Sequence, residues 1–131
     1  MLLVKTKTGP SAIHGTGLFA AEFVPKGALV WKFSKDVDEA YSPEEARELP
    51  EPKRSTILGL HFAYISTQTG RYVLSGDDAK FMNHSFTPTV ASVFEDGVEE
   101  ELGVAARDIK AGDELTVDYR DFGDPIDFEV R

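Results

Sequence analysis

Apolar residues in this chain come in short runs, and almost every run is closed by a turn rich in glycine or proline. MLLVKTKT runs into Gly9-Pro10-Ser11, GLFAAEF into Pro25-Lys26-Gly27 and TVASVF into Glu95-Asp96-Gly97. Thr67-Gln68-Thr69-Gly70 separates HFAYIS from RYVL, and Lys110-Ala111-Gly112-Asp113 precedes ELTVDY. Runs this short, with turn chemistry between them, predict strands and hairpins rather than the alternating strands and helices of an α/β chain. A strand is expected over residues 1–8, broken at Gly9. Residues 17–23 and 28–34 are expected to pair as a hairpin about Pro25-Lys26-Gly27. Residues 61–66 with 71–74, and 89–94 with 101–107, read as two more pairs, and 114–119 as a closing strand. Residues 42–60 differ. Ser42-Pro43-Glu44-Glu45 supplies an N-cap, a proline at the first helical position and acids in the first turn. Pro50 and Pro52 then predict a break, a second short helix over about 53–59, and closure at Gly59. The fold class is mainly β, with one short helical insert.

The chain's 131 residues suit one domain, 1–131, with a core of its own. With 23 acids against 14 bases the net charge is −9, which disfavours a nucleic-acid partner and suits either a basic partner or simply solubility. The absence of cysteine excludes disulfides and thiolate metal sites. His14, His61 and His84 are scattered, so no metal is expected. There is no apolar run long enough for a membrane span, and MLLVKTKTGP lacks the features of a secretory signal. The expected location is the cytoplasm.

Gly15-Thr16-Gly17-Leu18-Phe19-Ala20 matches a dinucleotide-binding fingerprint, and Asp36 and Asp38 stand about 20 residues on, where that fold places an acid. The context is wrong: strands, not a strand and a helix, flank the glycines. They still permit close backbone approach, either to another strand or to a ligand.

Asn83, His84 and Ser85 form a polar triplet between segments that read as core. They could bond solvent, the chain's own backbone or a ligand. A glycosylation sequon is idle without a secretory signal, and a triad of Ser85, His84 and Asp118 lacks the usual nucleophile turn. Taken alone, the triplet reads as a polar turn bonded to local backbone.

Three stretches in order resemble the SET-domain protein lysine methyltransferases: SAIHGTGLFAAEFVPKGALVWKF (11–33), DDAKFMNHSFTP (77–88) and IKAGDELTVDYRDF (109–122). The brevity of the chain and its DYRDF ending are most like the small stand-alone SET proteins of bacteria, with minimal viral enzymes the other close comparison. The resemblance implies small curved sheets around a knot-like crossing, with the NHS segment beside the closing strand. It implies S-adenosylmethionine as cofactor, contacted by His14, Gly15, Thr16, Gly17, Leu18, Phe81, Asn83, His84 and Phe122. Tyr119 matches the catalytic tyrosine. Tyr64, Val117 and Phe128 would line the substrate channel, and the tail, about 120–131, would act as a lid. The implied substrate is a lysine of a basic protein, and a homodimer would complete the peptide groove. Val117 stands where an aromatic residue influences the number of methyls added, so higher methylation states are expected. The chain departs from the family at Lys80, Thr16 and Phe86-Thr87-Pro88-Thr89, and it lacks cysteine-rich flanking modules. The alternative is a non-catalytic SET-like binding or regulatory module; the presence of Tyr119, Asn83, His84 and the glycine turn favours the enzyme.

Overall fold

A computed structural model describes residues 1–60, 63–66, 69–97 and 100–119. Three small sheets hold the described strands. The first contains β1 (Thr6–Pro10), β2 (Thr16–Ala20), β10 (Glu114–Val117) and β7 (Asn83–His84), in the order β1-β2-β10-β7. The second has the order β3-β9-β8, from Leu29–Lys32, Leu102–Ala105 and Val90–Val93. The third has the order β4-β6-β5, from Glu39–Tyr41, Tyr72–Leu74 and Ala63–Ile65.

The first two sheets enclose the main core, built on Leu18, Ala20, Val24, Val30, Val90, Ala105, Ile109, Leu115 and Val117. Trp31, Val73 and Ala79 form a second cluster, and Met82 packs against both. A third cluster, Ala46, Ile57 and Ala63, lies under the helices.

The helical insert follows its sequence signals. Helix α1 (Pro43–Arg47) opens with a capping box: Glu45 N–H donates to Ser42 Oγ at 3.1 Å, and Ser42 N–H donates to the Glu45 carboxylate at 2.8 Å. Helix α2 (Lys53–Leu58) starts after Pro52 and is capped at Gly59. The left-handed conformation falls not on Gly59 but on Leu60, at φ 56°. The expected pairs β5–β6 and β8–β9 form as antiparallel hairpins.

Two expectations need correction. The first strand does not break at Gly9. It runs to Pro10, where Gly9 pairs with Gly17 and Pro10 with Thr16. β1 is an edge strand, so a residue without an N–H is tolerated there. The segments around Pro25-Lys26-Gly27 do not form a hairpin either. The turn itself is made, with Ala28 N–H bonded to Pro25 O at 3.0 Å. Its arms diverge, however: β2 pairs with β1 and β10, and β3 pairs with β9. Burial of Leu18 and Ala20 on one arm and Val30 on the other selects those partners over the local one. Strand β4 was not anticipated, whereas β7 lies beside the closing strand as the family resemblance implied. Asp38, considered above as a ribose-binding acid, is buried just before β4 and accepts the Ser34 and Gly76 N–H groups, both at 3.0 Å.

Gly76 passes so close to the 34–38 turn that a Cβ there would lie 1.6 Å from the Val37 carbonyl oxygen. That neighbour is backbone and has little room to yield. Gly76→Ala is expected to lower stability by about 3 kcal/mol or more. Urea unfolding checks this; a loss under about 0.5 kcal/mol would contradict the packing described.

Candidate functional site

The site starts at the turn between β1 and β2. Ser11 N–H bonds Gly15 O at 2.8 Å, and Gly15 takes a left-handed φ of +46° with no atom within 4 Å of where a Cβ would stand. Ser11 Oγ accepts the Ile13 and His14 N–H groups at 2.9 and 3.3 Å. His14, Gly15 and Thr16 are therefore exposed on an ordered turn, whereas Gly17 and Leu18 are buried. Gly17 has a separate reason to be glycine: its Cβ would fall 2.6 Å from Glu114 Oε2 and 2.9 Å from Ser11 Cβ. The glycines open a strand rather than a helix, which removes the dinucleotide-binding reading.

β7 consists of Asn83 and His84, and it pairs in parallel with β10 through Thr116↔Asn83 and Val117↔His84. Both side chains are buried. Asn83 Nδ2 faces His14 O at 3.0 Å, Ser11 Oγ and Glu114 Oε2 at 3.1 Å each, and Thr16 O at 3.4 Å. Carbonyl and carboxylate oxygens accept only, so they fix the amide with its nitrogen toward the turn and its oxygen away from it. His84 Nδ1 accepts the Tyr119 N–H at 3.0 Å, which puts the ring proton of the neutral imidazole on Nε2. That Nε2 is buried and has no hydrogen-bond partner among the described residues. The ring meets Phe86 edge-on at 4.4 Å and tilts against Tyr119 at 5.2 Å.

The triplet is thus not a locally bonded turn. Asn83 and His84 reach residues far away in sequence, and Ser85 N–H bonds Val117 O at 2.9 Å. Ser85 Oγ alone acts locally, accepting Thr87 N–H at 3.0 Å. A Ser85–His84–Asp118 triad is not assembled: Nδ1 lies 3.8 Å from Asp118 Oδ1 and is already engaged by backbone.

Tyr119 follows β10 and donates its hydroxyl proton to Met82 O at 3.1 Å. The residues on either side of β7 thereby grip the end of β10. Leu18, Val117, Phe81 and Tyr119 share one cluster, with Val117 6% exposed within it. Tyr64 packs in the neighbouring cluster with Met82. Burial, followed by the charges of Glu101, Glu100 and Asp38, raises the Tyr64 phenol well above its ordinary pKa, so it stays protonated at neutral pH. Phe122, Phe128 and the 120–131 tail lie outside the described residues.

Sequence reasoning passed over Ser11, Glu114, Met82 and Thr89 as contributors. Thr89 and Thr116 exchange reciprocal bonds, Thr89 N–H to Thr116 Oγ1 at 3.1 Å and Thr116 N–H to Thr89 Oγ1 at 2.9 Å. These fasten the loop after β7 to β10 at Thr89, within the stretch 86–89 where the chain departs from the family pattern. The available signal was the glutamate of the closing motif, whose partner had to be small, as Gly17 is.

Comparison with known proteins agrees with this geometry. The SET domain family model matches residues 15–120. The chain is 31% identical over 123 residues to an H3 lysine-4 specific histone-lysine N-methyltransferase of Chaetomium globosum, covering 87% of this chain and 11% of that protein. It is 29% identical over 126 residues to histone-lysine N-methyltransferase SUV39H1 of Xenopus laevis, covering 88% of this chain and 29% of the relative. The chain therefore spans less than a third of either relative's length. Among solved structures, a humanised mutant of the Chaetomium thermophilum Polycomb Repressive Complex 2 superposes with a TM-score of 0.67 at 27% identity, over 91% of this chain and 15% of that one. A turn built on Gly15 and Gly17, a buried Asn83-His84 strand and a closing strand followed by Tyr119, all within the residues 15–120 that the family model matches, make the chain a member of the SET-domain family.

Proposed function

We propose that the chain is an S-adenosylmethionine-dependent lysine N-methyltransferase acting on a basic protein, histone-like or ribosomal in character. The observation that carries this is the convergence of Asn83, His84 and Tyr119, together with the 11–17 turn, at the β7–β10 pairing. Membership of the SET family and relatives named as histone-lysine methyltransferases support the reaction class. The net charge of −9 suits a basic substrate.

The residues present fit the cofactor. Four oxygens hold the Asn83 nitrogen, so its amide oxygen serves as acceptor for the cofactor's amino group. Open space beside Gly15 lets the backbone of residues 14–16 approach the adenosyl part, and Leu18, Phe81 and His84 supply apolar and backbone contact. S-adenosylmethionine supplies a methyl group activated by its positively charged sulfur.

The chain's residues act on the incoming lysine. Its ammonium, with a pKa of about 10.4 in water, has no lone pair and must first lose a proton. Burial among apolar side chains favours the neutral amine. Tyr119 commits its hydroxyl proton to Met82 O, so its oxygen acts as an acceptor that orients the amine. Tyr64 forms a further wall of the channel. Phe122 and Phe128 of the tail complete the cofactor and lysine contacts in this proposal, and a homodimer completes the peptide groove.

Calorimetry is expected to detect S-adenosylmethionine binding, and radiolabel transfer to core histones is expected to follow. Tyr119→Phe should lower kcat by about 100-fold and leave cofactor affinity within about twofold, because the Asn83 contacts remain. Unchanged turnover in that variant would remove Tyr119 from the reaction.

Valine at 117 is smaller than an aromatic residue and holds no water in the channel. Mass spectrometry of exhaustively treated peptide should therefore show di- and trimethyl-lysine, and Val117→Phe should shift the product toward monomethyl. Monomethyl product alone from the wild type would contradict this role.

A further inference from the structure

The Glu114 carboxylate sits among parts that the proposed cofactor site depends on. Its oxygens accept the Ser11 hydroxyl at 2.9 and 2.8 Å, and Oε2 also accepts Asn83 Nδ2 at 3.1 Å. Room for it comes from Gly17, whose missing Cβ leaves the space that Oε2 approaches. Glu114 lies on β10 opposite Phe19 of β2, so one side chain ties the closing strand, the 11–17 turn and β7 together. Asn83 has two possible amide orientations. Reversing the amide would point its oxygen at the Glu114 carboxylate and the His14 and Thr16 carbonyls, an acceptor against acceptors. Of these groups Glu114 carries the full charge, and a charge-assisted hydrogen bond is about twice as strong as a neutral one.

We infer that Glu114 is a positioning residue for cofactor binding: through its hydrogen bond to Asn83 it keeps the Asn83 amide oxygen directed at the cofactor. This rests on the methyltransferase reading above and extends it to a residue that touches no reacting atom. Gly17 and Glu114 then act as a pair, one making the space that the other fills. The carboxylate also adds negative potential beside a ligand that carries a positive sulfur and an ammonium group.

The test is calorimetric titration of the full chain with S-adenosylmethionine, in wild type, Glu114→Ala, Glu114→Gln, Asn83→Ala and the double variant Asn83→Ala/Glu114→Ala, each first checked for folding by thermal melting. Glu114→Ala is expected to bind about tenfold more weakly, the loss of one hydrogen bond to a charged group. Glu114→Gln keeps one acceptor and loses the charge, so its affinity should fall between the other two. Because Glu114 works through Asn83, the double variant should bind within about twofold of Asn83→Ala. Peptide KM should not change in Glu114→Ala, whereas cofactor KM should rise. Wild-type affinity in a folded Glu114→Ala, or losses that multiply in the double variant, would overturn the inference and leave the methyltransferase reading intact. Absence of binding by the folded wild type would overturn both. Should Glu114→Ala fail to fold, Glu114→Gln decides: affinity equal to the wild type overturns the inference.

Discussion

The described structure depends on one pairing, the parallel contact of Asn83-His84 with Thr116-Val117. A strand of two residues contributes little backbone bonding, and burying two polar side chains is costly unless their hydrogen bonds are met. The pair is stable because its polar atoms are distributed over distant segments. The Asn83 amide bonds to the 11–17 turn, and His84 Nδ1 takes the backbone N–H of Tyr119. Ser85 continues the ladder on to Val117. Each of these bonds joins parts of the chain remote in sequence, so the pairing and the candidate site are the same object.

This explains the placement of Tyr119. It stands beyond the last strand residue, yet both its backbone and its hydroxyl are anchored, to His84 and to Met82. A residue that must orient a small amine benefits from such fixation, because alignment is lost with displacements of about 1 Å. The Thr89–Thr116 exchange braces the same strand from the loop after β7. The third sheet and the helices form a separate layer, where Arg71 and the buried Glu100 pair at 2.6 Å and Ser66 donates to Glu101 at 2.8 Å. Tyr64 of that layer and Met82 both pack against the second core cluster, which connects the layer to the site.

Much of this was legible in the sequence where the cause was local. The capping box at Ser42 and Glu45, the interruption by Pro50 and Pro52, and the hairpins β5–β6 and β8–β9 all follow from neighbouring residues. Asn83, His84 and Tyr119 could be singled out because they stand in recognisable motifs. What local reasoning missed shares one property. The false hairpin at Pro25-Lys26-Gly27, the continuation of β1 through Pro10, and strands β4 and β7 are all settled by partners elsewhere in the chain. A turn motif fixes a change of direction; it does not decide which strand each arm pairs with.

The sequence by itself determined a mainly β chain with one helical insert, an acidic surface, no cysteine chemistry, and three ordered motifs that carry the family resemblance. Those properties are written in composition, spacing and local turn chemistry, which act between near neighbours. The tertiary structure alone decided that Asn83 would bond the carbonyls of His14 and Thr16, that His84 would hold the Tyr119 backbone, and that Glu114 would fill the space left by Gly17. Hydrogen bonds act over about 3 Å, and residues this far apart in sequence reach that distance only after the sheets have packed.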